Sequence, residues 1–373
     1  MQSITYSPSW TLIPTHYCRN TCGYCAFVER DGARANLLSL ARATEEIERA
    51  RRSGATELLI MSGVGVETSA SVRRALAAEG FADYIAYLFC IARRALAAGL
   101  LPHINIGNVT ENEIRLLREA TPSMGMMLET IEDLSGEAAH RRAPDKLPAR
   151  RMATMEAAGR ARMPWTTGIL VGIGELRESR RASLEAIART HDDYKHIQEV
   201  IVQPFTPHAA TAMSRWSAPT VCELRDTVRL AREVLPRDVV VQIPPNIAPD
   251  IIEFVCAGAS DLGGISPDGD RINPDERWLA PRAYARALAA HGFSLQPRLA
   301  VHERFINHDW LASEPLAAIP VVRRRLSAHV ASPAYGASMT KQSNAAAPQS
   351  EAQSFIHTSQ DSFAVDTNAA SSF

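Results

Sequence analysis

The chain predicts a (β/α)8 barrel of parallel strands, and two observations carry that prediction. Short apolar runs alternate with amphipathic helical segments eight times. Such alternation builds parallel strands joined by crossover helices. A cysteine-rich loop follows directly on the first run, and a parallel barrel places its chemistry at the C-terminal ends of its strands. A doubly wound sheet is the alternative reading of the same alternation.

The predicted strands are 10–14, 57–62, 102–106, 124–129, 166–172, 199–204, 239–243 and 261–266. Each is a short apolar run bounded by turn residues. The predicted helices are 38–53, 83–98, 111–120, 148–162, 178–191, 219–235, 247–257 and 281–291, where apolar residues recur at spacings of three and four. Thr110 and Thr220 are start signals, the first ahead of Glu111 and Glu113. Gly54, Gly99 and Gly292 stand at expected helix ends. Residues 1–332 are expected to form the barrel domain. Residues 333–373 mix Ala, Ser, Gln, Asn and Thr without hydrophobic periodicity, and are expected to be a disordered tail.

Composition narrows the function class. Hydrophobic residues make up 46% of 373 positions, enough for a large core. A net charge of −1 gives nucleic acid no electrostatic footing. No apolar run reaches the roughly 18–20 residues of a membrane span. The run over 84–101 is broken by Arg93 and Arg94. Six cysteines are too sparse for a disulfide framework, and no secretory leader is read. A reduced, cytoplasmic setting is expected.

Cys18, Cys22 and Cys25 form a C-x3-C-x2-C loop. A cubane iron–sulfur cluster usually takes four thiolates, so three clustered ligands leave one iron open for chemistry. Structural zinc is the rival, and it needs four Cys or His ligands, with His16 the nearest candidate. Cys90, Cys222 and Cys256 lie in apolar helical patterns and read as small buried hydrophobes.

The loop spacing, with Tyr24 just before the third cysteine, resembles the signature of the radical S-adenosylmethionine (SAM) enzymes. The resemblance implies one [4Fe–4S] cluster whose open iron chelates SAM. It further assigns SAM contacts to Tyr24, to Gly63 and Glu67 after the second strand, and to Glu129 at the end of the fourth. Gly168, Leu170, Gly172 and Glu175 fit its adenine pattern around the fifth strand. Glu129 has a structural alternative, since a buried carboxylate needs a cation and Arg141 or Arg142 is near in sequence. Polar residues near other strand ends are substrate candidates: His103, Gln203, Gln242, Asn246 and Ser266.

The blocks CRNTCGYCAF, PSMGMMLE, HRRAPDKLPARR, TTGILVGIGE, HIQEVIVQPFTPH, VVVQIPPN and DLGGISPDGDRINPD resemble, in order, the family of FO synthase subunit 1 (CofG). That family makes the deazaflavin FO from a hydroxybenzyl adduct of a ribityl-aminouracil, with release of ammonia. The resemblance implies an external one-electron donor and a CofH-type subunit as a candidate partner. The stretch LLIMSGVGVE, Pro204 and His208 depart from the family's usual residues. A CofH-type transferase and the menaquinone-pathway cyclase share the barrel and the cysteine loop. A non-enzymatic iron–sulfur scaffold or redox sensor is the reading from a different class, and the intact 168–175 block argues against it.

Overall fold

The computed structural model describes residues 2–331 except Pro249 and Pro274, so the expected tail at 333–373 lies outside the described residues. Eight strands close a parallel barrel: β1 (Gln2–Leu12), β2 (Glu57–Met61), β3 (Leu101–Asn105), β4 (Ser123–Gly125), β5 (Trp165–Val171), β6 (Ile197–Pro204), β7 (Val240–Gln242) and β8 (Asp261–Ile265). β1 closes the ring by pairing with both β8 and β2, Thr5 opposite Asp261 and Ser9 opposite Glu57. The doubly wound alternative falls, because the strands run in the order β2 to β8 and then β1, and the β1–β2 pairing joins the two ends of that order into a ring.

The helices are α1 (Leu40–Ser53), α2 (Ala70–Ala78), α3 (Tyr84–Ala97), α4 (Glu111–Arg118), α5 (Pro148–Arg160), α6 (Arg177–Tyr194), α7 (Val221–Val234), α8 (Ile251–Ala257), α9 (Pro281–Ala289) and α10 (Ser313–Ala331). Thr110 and Thr220 each complete a capping box, with Glu113 and Glu223 reaching back to the cap backbone. Gly54 ends α1 in the left-handed conformation, φ 86°, which only glycine adopts without strain.

Strand alternation sorts the side chains. On β1, Ile4, Tyr6, Trp10 and Leu12 face outward into the helical shell and are almost wholly buried. Ser9 and Thr11 face the barrel interior. A further strand, β9 (Phe293–Pro297), pairs parallel to the N-terminal half of β1, outside the ring. The chain then passes beneath the barrel. Leu299, Val301, Phe305, Ile319 and Val322 pack there against Leu96 and Leu101. Arg325 fastens α10 by donating to the carbonyls of Ala98 and Gly99 at 2.8 and 3.0 Å.

Several expectations are corrected. The fourth strand has ladder pairing over only three residues, and Glu129, at a positive φ, rejoins β5 as an isolated bridge opposite Ile169. α2, β9 and α10 were not read from the sequence. The three outlying cysteines are not all buried: Cys90 is half-buried, and Cys222 and Cys256 are exposed. α7 buries Leu224, Thr227, Val228 and Ala231 instead, and α8 buries Phe254, Val255 and Ala257.

Candidate active site

One cavity of about 370 Å³ opens at the C-terminal ends of the strands and reaches into the barrel. Cys18, Cys22 and Cys25 line its mouth on the loop after β1. Two segments grip that loop. From the β2 side, Arg19 N donates to Val64 O at 3.0 Å, and Val64 N donates to Cys18 Sγ at 3.2 Å. A Cβ on Gly63 would lie 2.3 Å from the Cys18 Cβ, so only glycine permits this approach. From the other side, Thr21 N donates to Arg142 O at 2.7 Å and Gly23 N to Ala139 O at 2.9 Å. Arg19 adds a two-pronged bond to the buried Asp145, with Nε to Oδ2 at 2.6 Å.

The thiols fit an iron–sulfur cluster. Burial pushes Cys22 up to about 11 and raises Cys25, with Lys146 opposing both shifts. Buried thiols of this kind become thiolates when a metal supplies the positive charge. Cys18 Sγ already accepts a backbone N–H, as a thiolate would. Among the described residues no three His, Cys, Asp or Glu side chains converge as a single ion requires. A cluster asks for less convergence, because each thiolate meets its own iron.

Beside the thiols lies a buried charged group. Glu129 is 6% exposed and has φ 68°, a strained conformation for a residue with a Cβ. Glu129 N donates to Gly168 O at 3.1 Å and its carbonyl accepts from Leu170 N at 2.9 Å, which fixes it between β4 and β5. Its carboxylate pairs with Lys146 and lies 3.9 Å from Arg151. Burial alone would raise the Glu129 carboxyl, but the charges of Lys146 and Arg151 hold it below its ordinary range. Those two replace the Arg141 and Arg142 expected as partners, whose side chains are exposed. Arg151 is 2% exposed, and its Nε meets no acceptor among the described residues. The same holds for Asn20 Nδ2, inside the cysteine loop. Both residues line the cavity. A buried guanidinium donor without an acceptor is a vacant anion contact. Tyr24 packs its ring 5.9 Å from Lys146 Nζ, and its hydroxyl lies 3.3 Å from His140 Nε2.

The expected site residues divide. Tyr24, Gly63, Glu129 and Leu170 line the cavity with the three cysteines, as do His103, Gln203, Gln242, Asn246 and Ser266. Glu67, Gly168, Gly172 and Glu175 are not on its wall. Glu67 is exposed on the turn after β2. Gly168 lies against β6, where a Cβ would meet Ile201 O at 2.4 Å. Gly172 turns the chain out of β5 with φ 98°. Glu175 binds its own loop, accepting from Gly172 N at 2.9 Å, Ile173 N at 2.8 Å and Arg180 Nε at 2.7 Å. Sequence reasoning missed Asn20, Lys146 and Arg151. Lys146 and Arg151 lie within the block HRRAPDKLPARR, whose Pro-Asp-Lys turn was the available signal.

The radical SAM superfamily model matches residues 12–187. The 7,8-didemethyl-8-hydroxy-5-deazariboflavin synthase of Methanosarcina barkeri is 38% identical over 309 residues, covering 82% of this chain and 93% of that one. The enzyme of the same name from Archaeoglobus fulgidus is 39% identical over 320 residues, covering 85% and 96%. That from Trichormus variabilis is 37% identical over 320 residues, covering 84% and 89%. Among solved structures, the FeFe-hydrogenase maturase HydG from Carboxydothermus hydrogenoformans superposes with a TM-score of 0.63 at 20% identity, covering 91% of this chain and 81% of that one. Methylornithine synthase superposes with a TM-score of 0.56 at 16% identity, covering 78% and 83%. These two likenesses show the barrel.

Proposed function

We propose, for a chain that belongs to the radical SAM superfamily and within it to the 7,8-didemethyl-8-hydroxy-5-deazariboflavin (FO) synthases, that it closes the deazaflavin ring on a hydroxybenzyl adduct of a ribityl-aminouracil and releases ammonia. The observation that carries this reading is the composition of the cavity at the strand ends. The cavity joins a three-cysteine mouth to a row of amides able to read a uracil edge.

Cys18, Cys22 and Cys25 would hold one [4Fe–4S] cluster, which would supply one-electron reduction to SAM bound beside it. Arg151 and Lys146 would receive the SAM carboxylate, and Glu129 would answer its ammonium. Gln203 and Gln242 each present a whole amide to the substrate ring, donor and acceptor together, and Asn246 presents its carbonyl. Asn246 Nδ2 is held by Asp270 Oδ2 at 2.7 Å, which leaves its carbonyl toward the ligand. The apolar wall, including Met61, Met127, Leu170 and Ile201, keeps water from a reactive carbon centre. An external donor supplies the electron, and a CofH-type subunit supplies the adduct.

The test is anaerobic turnover of reconstituted protein with the adduct, SAM and a reductant. FO, 5′-deoxyadenosine, methionine and ammonia are expected, with a benzylic deuterium carried into 5′-deoxyadenosine. Consumption of tyrosine and the diaminouracil instead would make the chain a CofH-type transferase.

A further inference from the structure

The interior of an ordinary parallel barrel is packed with branched aliphatic side chains. Here the inward positions on the cavity floor are polar: Ser9 and Thr11 on β1, Glu57 on β2, His103 on β3, Thr166 on β5 and Glu199 on β6. Ser9 is in register with Glu57, and Thr166 with Glu199.

Glu199 is accounted for. It accepts from Thr166 Oγ1 at 2.9 Å and Arg298 at 2.7 Å, and faces His302 at 3.3 Å. Glu57 is not. It is 7% exposed, yet among the described residues one hydrogen bond reaches its carboxylate, from Ser9 Oγ at 3.2 Å. Arg298 acts on it only through space. Around it are further vacancies. The Thr11 hydroxyl, on a residue 4% exposed, makes no hydrogen bond among the described residues. His103 engages Ser123 Oγ through Nδ1 at 2.8 Å and leaves Nε2 without a partner among them. A carboxylate so deeply buried needs more donors than one hydroxyl.

We infer that the floor at Glu57, Thr11 and His103 is a polyol subsite, and that it takes the ribityl chain of the substrate. The inference rests on the proposed reaction for the identity of the chain, and on the vacant hydrogen-bonding groups for its chemistry. Hydroxyls donate to a carboxylate, and both donate to and accept from hydroxyl and imidazole, so one flexible polyol meets all three vacancies. The amides of Gln203 and Gln242 lie above on the same wall. This order places the ring at the mouth, beside the radical source, and the chain at the floor.

The experiment is calorimetric titration of the anaerobically reconstituted holoenzyme with a ribitylaminouracil and with its methylaminouracil counterpart, run beside FO formation from the adduct. Wild type should prefer the ribityl compound by at least about tenfold, since hydrogen bonds to a charged group are among the strong ones. Glu57→Gln and Thr11→Val should each erode that preference, with iron content and SAM affinity unchanged. FO formation without any ribityl preference in wild type, or with full preference in both variants, overturns the subsite and leaves the reaction standing. A ribityl preference that both variants erode, in a protein that makes no FO, supports the subsite and overturns the reaction.

Discussion

At the N-terminal end of the barrel, Arg298 donates to Asp261 at 2.6 Å and to Glu199 at 2.7 Å, and His302 closes on the same Glu199. At the C-terminal end Arg151 is more deeply buried, but its Nε meets no acceptor among the described residues and its carboxylate neighbour lies 3.9 Å away. Both ends bury charge. Below, opposite charges from the chain itself answer each other, and the result is a plug. Above, the chain supplies only part of what its charges need, and the remainder is left for a ligand. Completeness of pairing, rather than the presence of charge, separates a sealing network from a binding site.

The contrast is broken most sharply at the mouth. Cys22→Ala should abolish cluster binding and SAM cleavage while the barrel still unfolds near the wild-type midpoint. Iron and sulfide content with electron paramagnetic resonance reads the first, and thermal unfolding of the apo-protein the second. Full iron content in the variant would remove the loop from the site.

The plug at the N-terminal end should respond in the opposite manner. Arg298→Ala leaves Asp261 and Glu199 buried without their cation, at a cost of about 3–5 kcal/mol. Denaturant unfolding measures it. Arg298→Met should cost much the same, because the uncompensated carboxylates remain. A wild-type midpoint in both variants would mean that the network seals nothing.

Arg151→Met sharpens the comparison further. It should weaken SAM binding by roughly ten- to a hundredfold, in line with about 1.5–3 kcal/mol for a charged hydrogen bond. Stability should fall less than for Arg298→Ala, since Glu129 keeps Lys146. Equilibrium dialysis with SAM and unfolding of the same preparation separate the two effects.

The smallest effect is a pH slope. His196 immediately precedes β6, is fully buried, and has Nε2 2.9 Å from Met155 O. Desolvation lowers it to about 3. The folded state therefore holds it neutral where the unfolded chain takes up a proton. Stability should fall as pH drops from about 6.5 toward 4, by up to about 1.4 kcal/mol per pH unit. His196→Gln should reduce this slope, leaving the part that comes from His103, His140 and His191, which burial also lowers, and the loss from Glu199 at lower pH, whose carboxyl the Arg298 charge depresses. Parallel slopes in wild type and variant would assign the acid sensitivity elsewhere.

Much of this was legible in the chain. Strand and helix periodicities located seven of the barrel strands within a few residues but caught only the last three residues of β1, which begins at Gln2, and the Thr110 and Thr220 caps stand where the local rule puts them. The cysteine loop announced the mouth. β9 escaped notice although Phe-Ser-Leu-Gln-Pro alternates, because eight strands already close a barrel and nothing local says that β1 is long enough to carry a second partner. The 168–175 block marks a turn as much as a binding surface: Glu175 spends its carboxylate on the loop's own N–H groups.

By itself the sequence determined the alternation of elements, the thiol loop and the family, since each is written in residues close together along the chain. Only the tertiary structure decided which charges meet. Arg298 reaches Glu199 across 99 positions, Arg19 reaches Asp145 across 126, and Glu57 is left with one hydroxyl beneath the site. Pairing depends on distances through the barrel, and closure of the ring sets those distances.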